Sequence, residues 1–171
     1  MKKRPSAPAP MTQVLLAIVD NQSARTAAAL KGLREDMFAA ATPDGGRSIR
    51  ETGRHLFALR RMQLKALRPA ALARLPHLDP VASVADLESK LDATAQLVRE
   101  AIAASADRDL LAPCAGHRAE TRLDRLVVRL NDYTNHLGDI RTLRRLMGNP
   151  VGTLSRREPT VRRETRSTPL A

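Results

Sequence analysis

The stretch SIRETGRHLFALRRMQLKAL, residues 48–67, decides the fold. It begins with a capping box, because Ser48 is followed three residues later by Glu51: the hydroxyl accepts from a helical amide and the carboxylate reaches back to the cap. Apolar positions then recur at intervals of three and four residues until Pro69 ends the pattern. The segment therefore predicts an amphipathic helix, on which His55 occupies the apolar stripe and faces the interior or its edge.

Three further helices are predicted around this segment, one before it and two after it. Their bounds are about residues 12–41, 83–106 and 120–147. The first stops at TPDGG, residues 42–46, and the last stops at Gly148, with Pro150 preventing continuation. The third begins at Ser83, which has an acidic residue three positions later. Because no stretch is convincing as a strand, the predicted fold class is all-α.

The connection between the second and third predicted helices, residues 68–82, carries three prolines and is unusually long. A helix of about 20 residues is about 30 Å long, and 15 extended residues reach about 50 Å, so the connection can return along the whole bundle. The second and third helices can therefore run parallel. We expect a four-helix bundle of up-down-down-up topology with a long crossover between helices two and three.

Composition limits the classes of function. The chain has 171 residues, 43% hydrophobic and 2% aromatic, which suits one globular domain and not an RNA-binding surface of stacked aromatics. A single cysteine excludes a disulfide framework and a multi-cysteine zinc site. No apolar run has the length of a membrane span and the N-terminus lacks the apolar segment of a signal peptide, so we expect a cytoplasmic protein with no membrane partner.

The net charge of +11 is concentrated at the two ends. Residues 1–11 hold three basic residues and no acidic one, and residues 150–171 hold five arginines against two glutamates. Both ends are rich in Pro, Ser and Thr, so we expect disordered basic tails on either side of a folded domain at 12–149. Nucleic-acid binding through the tail at Arg156–Arg166 is a minor alternative, because acidic residues are interspersed with basic ones in the domain.

The last predicted helix carries a second inward histidine. His136 lies on its apolar stripe, and Asp132, four residues earlier, shares that helix face. With His55 from the facing helix, these side chains offer two imidazole nitrogens and one carboxylate oxygen, a set that suits a divalent transition metal. The alternative stays open, because an inward histidine is usually a hydrogen-bonded core residue and an Asp–His pair of this spacing is usually an ion pair. Tyr133 is either a neighbouring hydroxyl or a packing residue.

Two blocks of sequence carry a resemblance to a known family. Residues 48–67 and the block LNDYTNHLGDIRTLRRLMG, residues 130–148, look like the second and fourth helices of the DinB/YfiT-like superfamily of small bacterial four-helix bundles. The resemblance covers about residues 12–149. It implies an up-down-down-up bundle, often a homodimer, that binds nickel or zinc through one histidine of helix two and two histidines of helix four.

Carried onto this chain, the resemblance assigns His55 and His136 as metal ligands and leaves Asp132 at the position of the remaining histidine. Aspartate ligates zinc and nickel and also suits iron or manganese. The alternative is that the change from histidine to aspartate marks a weakened or lost metal site in a non-catalytic relative.

The resemblance implies a metal-dependent enzyme acting on a small molecule, of the thiol S-transferase or hydrolase type, with a low-molecular-weight thiol as one substrate. The alternative is a non-catalytic, dimerising helical bundle with a degenerate metal site. No catalytic base and no organic cofactor site are identified from the residues. His77 and His117 are predicted to lie in loops, and Cys114 is predicted to be an inert small side chain.

Overall fold

The computed structural model describes residues 10–40, 42, 45–114 and 117–151. Its helices and strands are α1 (Met11–Leu30), α2 (Glu35–Phe38), α3 (Ile49–Leu67), a 3₁₀ helix (Pro69–Arg74), α4 (Val84–Ala103), α5 (Asp107–Leu110), β1 (Pro113–Cys114), β2 (His117–Thr121) and α6 (Arg122–Leu146). The predicted all-α class is confirmed. Most of the two predicted tails, residues 1–9 and 152–171, lies outside the described residues, and α1 begins at Met11, inside the range assigned to the first tail.

The helix starts follow the local signals in the sequence. At α3 the Glu51 amide donates to Ser48 Oγ at 3.2 Å, and the Ser48 amide donates to Glu51 Oε2 at 2.8 Å, which is the predicted capping box. At α4 the Asp86 amide donates to Ser83 Oγ at 3.1 Å. These bonds satisfy amides that have no partner within the helix, so each start is fixed by residues next to it.

The first predicted helix is wrong in its length. It was expected over residues 12–41, but α1 ends at Leu30 because Gly32 adopts φ +66°, a left-handed conformation that breaks the helix. The apolar spacing continues past the break because Leu33 and Phe38 of the following segment are also buried in the core. The apolar periodicity therefore identifies the buried residues correctly, but it does not reveal that the chain changes direction between them.

The expectation of no strand is also wrong in detail. The loop predicted over residues 107–119 contains the short helix α5, β1 and the start of β2, and the two strands form an antiparallel ribbon in which Pro113 pairs with Thr121. The predicted helix start at residue 120 is therefore two residues early, because Glu120 and Thr121 belong to β2. β1 has two residues, which is too short to give an alternating pattern in the sequence. The ribbon leads directly into α6, whose first turn is capped by Thr121.

Two buried clusters show the directions of the long helices. The first cluster joins the C-terminal halves of α1 and α6 to the N-terminal halves of α3 and α4, with Leu30, Leu56, Leu87 and Ile140 among its members. The second joins the opposite halves, with Val19, Leu64, Val98 and Leu126. Helices α1 and α6 therefore run one way and α3 and α4 the other, in the order expected from the long connection. None of the helices in the described ranges combines the length and apolar character that a membrane crossing requires.

A buried arginine fixes the ends of α1 and α6 against each other. Arg144 donates from Nη1 to the carbonyl oxygens of Ala29 at 2.6 Å and Lys31 at 2.9 Å, and from Nη2 to Asn149 Oδ1 at 2.8 Å. The guanidinium thereby donates to two carbonyl groups at the end of α1, where the helix itself leaves carbonyl groups unpaired. The contact fixes the C-terminal end of α6, the helix that carries His136, against the end of α1.

Candidate metal centre

The two histidines predicted to converge lie side by side in the seam between α3 and α6. The ring centres of His55 and His136 are 4.4 Å apart, and the rings meet edge to face at 87°. Both side chains are partly buried, with 29% of the His136 side chain exposed. Each helix contributes one imidazole, so the pair exists only because α3 and α6 pack against each other. We call His55 and His136 the histidine pair.

The third predicted ligand, Asp132, is held by another residue. Its Oδ2 accepts from Nη1 of Arg129 at 3.0 Å, one turn earlier on α6. Within the ranges that the structure describes, no group of three His, Cys, Asp or Glu side chains is arranged to hold one metal ion. The structure therefore brings the two imidazoles together and leaves the carboxylate paired with a guanidinium.

An acidic residue that the sequence analysis did not single out contacts the pair. Nδ1 of His136 lies 2.9 Å from Oδ2 of Asp139, three residues later on the same helix. An ionised carboxylate only accepts hydrogen bonds, so in the neutral form of the ring this contact places the proton on Nδ1 and leaves the lone pair on Nε2. Metal-ligating histidines typically make such a bond through the other ring nitrogen. The spacing of three residues is the signal that could have identified Asp139.

The surroundings of His55 favour its neutral form. Burial lowers the pKa of His55, and the neighbouring His136 and Arg47 lower it further, while Asp132 opposes them. A neutral imidazole keeps the lone pair that a metal ion needs. The direction of the shift therefore suits a ligand role.

The separation of the two imidazoles is compatible with one shared metal ion, whereas Asp132 is paired with Arg129. Metal–nitrogen bonds are about 2.0–2.1 Å long, so two imidazoles this close can share one cation. Asp132 lies on the same face of α6 as His136 but is engaged by Arg129. Beside His136 is a cavity of about 340 Å³ whose walls include Thr52 and Arg47. This cavity is the space next to the pair in which a small molecule would fit.

The remaining candidate residues have other contacts or line other cavities. Tyr133 is fully buried, its hydroxyl is 3.0 Å from that of Thr26, and the guanidinium of Arg60 lies 4.1 Å from its ring centre. The packing interpretation of Tyr133 is therefore the one that its contacts support. Cys114 is half-buried in β1, and His77 lines a separate cavity on the far side of α3. The side chain of His117 lies outside the described residues.

These features define a class: an all-helical bundle with a pair of imidazoles between its second and last long helices. The family model of the DinB superfamily matches residues 18–140, which is most of the chain. The chain therefore belongs to the DinB superfamily, as the resemblance implied. A comparison with curated proteins found no match.

Proposed function

We propose that this DinB-superfamily protein binds one divalent transition-metal ion, nickel or zinc, through His55 and His136, with Asp132 as the third ligand. The observation that carries the proposal is the contact between the two imidazoles across the α3–α6 seam. Iron or manganese would also suit two imidazoles and one carboxylate. Asp132 reaches the ion by leaving Arg129, an exchange between two partners on the same helix face.

On this proposal the protein is a metal-dependent enzyme of the thiol S-transferase or hydrolase type. The bound ion supplies Lewis acidity that favours the deprotonated form of a thiol or water at neutral pH. Asp139 fixes the ring of His136, and the cavity beside Thr52 and Arg47 admits a small substrate. The cytoplasmic location and the homodimer expected from the family belong to the same proposal, and light scattering tests the dimer.

The test is metal binding by the full chain. Protein purified without added metal is analysed for its elements, and metal-free protein is then titrated with Ni²⁺ and Zn²⁺ in a calorimeter. We expect one ion per chain. Asp139→Asn should weaken binding by about 10–100-fold, because it removes an outer partner of a ligating histidine. His55→Ala and His136→Ala should weaken it at least as much.

The matched control is His77→Ala, which removes a histidine from a loop region distant from the pair. It should leave the affinity within twofold of the parent. The proposal fails if loading with metal leaves the protein empty, or if His55→Ala and His77→Ala behave alike.

A second candidate is supported by the Arg129–Asp132 ion pair and by the lack of a ready three-ligand group among the described residues. It is the non-catalytic, dimerising bundle with a degenerate site. In that case the same titrations give no binding, and Asp132→Ala and His55→Ala leave the cellular phenotype unchanged.

A further inference from the structure

A second cavity lies along the α3–α6 seam, toward the end where α3 finishes and α6 begins. Its volume is about 360 Å³, which lies at the lower end of the range for small-molecule sites. Its walls come from the C-terminal half of α3, the 3₁₀ helix, β1 and the N-terminal half of α6. The histidines, Asp132 and Asp139 are not among its lining residues. It is therefore a site separate from the proposed metal centre.

All the charged side chains that line this cavity are cations. They are Lys65, Arg122, Arg125 and Arg129. Arg125 is paired with Glu120 at 3.2 Å, and Arg129 is paired with Asp132 at 3.0 Å. The side chains of Lys65 and Arg122 have no hydrogen-bond or salt-bridge partner in the part of the chain that the structure describes. Two positive charges thus face the cavity with no acidic partner among the described residues, and we call this site the basic groove.

The remaining wall of the basic groove is largely apolar. Met62 is 39% exposed although it is a large hydrophobic residue, and Ala66 and Leu72 are half-buried beside it. An exposed thioether adapts its shape to an apolar ligand at small cost. The groove therefore combines an apolar wall with unneutralised cations.

We propose that the basic groove binds a small organic anion. Its carboxylate or similar group is held by Lys65 and Arg122, and its apolar body lies against Met62, Ala66 and Leu72. A guanidinium and an ammonium both form charge-assisted hydrogen bonds to such a group. Neither His55 nor His136 takes part in this binding, although Arg129, which lines the groove, is also the partner of Asp132.

The test is calorimetric titration of the full chain with sodium 2-naphthoate, an aromatic carboxylate, and with the neutral 2-naphthamide. We expect saturable binding of one naphthoate per chain and weaker binding of the amide. Arg122→Gln and Lys65→Gln should each weaken naphthoate binding about tenfold, because each removes one charge-assisted contact. Neither substitution should change binding of the amide by more than about twofold.

The matched controls change the net charge equally on the same helices but outside the groove. Arg61→Gln is on α3 and Arg145→Gln is on α6, and both side chains are exposed. Neither should alter the naphthoate affinity by more than twofold. If they weaken it as much as Arg122→Gln does, the binding is a general effect of net charge and the proposal is overturned.

Cys114 reports independently on occupancy, because it is the single cysteine of the chain and lines the groove. Bound naphthoate should slow alkylation of Cys114 by iodoacetamide, measured by intact mass. The protection should be lost in Arg122→Gln at the same naphthoate concentration. An unchanged alkylation rate in the parent at saturating naphthoate would place the ligand elsewhere and overturn the proposal.

Discussion

The same two helices, α3 and α6, build two regions of opposite charge preference. Around the histidine pair, Asp139 contacts His136, and Asp132, one turn earlier on α6 than His136, neutralises Arg129. In the basic groove, Lys65 and Arg122 face the cavity with no acidic partner among the described residues. They lie about three turns along α3 from His55 and about four turns along α6 from His136. A metal ion needs neutral imidazoles and carboxylates, whereas an organic anion needs cations that the protein leaves unneutralised.

The comparison shows which charged side chains hold the bundle together and which are available to a ligand. Arg144 is buried and surrounded by carbonyl oxygens, so its charge is used to join two helix ends. The cations of the basic groove lie on a cavity instead. On the two proposals, the seam presents one site for a cation and one for an anion. Arg129 is common to both because it lines the groove and binds Asp132.

The largest effect is expected from a substitution that overpacks the helices next to the histidine pair. A Cβ placed on Gly53, two residues before His55, would lie 2.2 Å from Cδ2 of the fully buried Leu87 of α4. Gly53→Ala should therefore lower the free energy of unfolding by about 1–3 kcal/mol through overpacking, measured by urea denaturation. It should weaken Ni²⁺ binding at the histidine pair more than naphthoate binding in the basic groove.

The control is Gly138→Ala, which changes the other glycine that lies inside one of the long helices described. A Cβ there meets no atom within 4 Å. This substitution should raise stability by up to about 1 kcal/mol, because alanine favours the helix over glycine. If both substitutions shift stability in the same direction, the close approach of α3 to α4 does not govern the histidine region.

A smaller effect is expected at the residue that the two regions share. Arg129→Gln should raise the affinity for Ni²⁺ by about threefold to fivefold, since an exposed ion pair is worth up to about 1 kcal/mol and its loss frees Asp132. The same change should lower the affinity for 2-naphthoate by a similar factor. Both are measured by calorimetry on one preparation.

Arg125→Gln is the matched control for Arg129→Gln. Arg125 lies one turn earlier on α6 and also lines the groove, but its partner is Glu120. It should weaken naphthoate binding and leave Ni²⁺ binding unchanged. Equal effects of both variants on Ni²⁺ would mean that the pairing of Arg129 with Asp132 does not restrain the third ligand.

Local signals in the sequence predict the parts of the fold that neighbouring residues determine. The spacing of Ser48 and Glu51 predicts the start of α3, and the start of α4 and the stop at Gly148 follow in the same way. The end of α1 at Gly32 is missed because Leu33 and its neighbours remain buried after the helix breaks. Burial periodicity cannot distinguish a continuing helix from a new one that faces the same core.

The candidate site, too, is predictable from the sequence only in part. The apolar stripes correctly predict that His55 and His136 meet across two helices. They do not predict the partner of Asp132, because Arg129 and His136 flank it on one helix face and spacing suits either of them. The basic groove depends on the 3₁₀ helix after Pro69 and on β1, which bring distant segments together and have no periodic pattern of their own.

The smallest expected effect is that of acid on the first turns of α3 and α6. It tests whether the two regions differ in how their helices begin as well as in their ligands. Helix α3 begins in the histidine region, and the carboxylate of Glu51 caps its first turn. Helix α6 begins near the basic groove, and the carboxylate of Asp124 caps its first turn in the same way. The Ser48 amide lowers the pKa of Glu51, and the Thr121 hydroxyl, followed by the Thr121 amide, lowers that of Asp124. The two ends are therefore built alike, and we expect acid to affect them alike.

The sign of the effect follows from the direction of both shifts. As the pH falls, the unfolded chain takes up these protons before the folded one, so the stabilisation is complete above the ordinary pKa values and lost as the pH falls through the lowered ones. Glu51→Gln and Asp124→Asn should each flatten the decline in unfolding free energy between about pH 5 and pH 2, measured by urea denaturation. Glu88→Gln, at an exposed carboxylate of α4 without a cap role, should retain the parent profile. Flattening by only one of the two cap variants would show that the regions differ in the way their helices begin, and the contrast between them would then extend beyond their ligands.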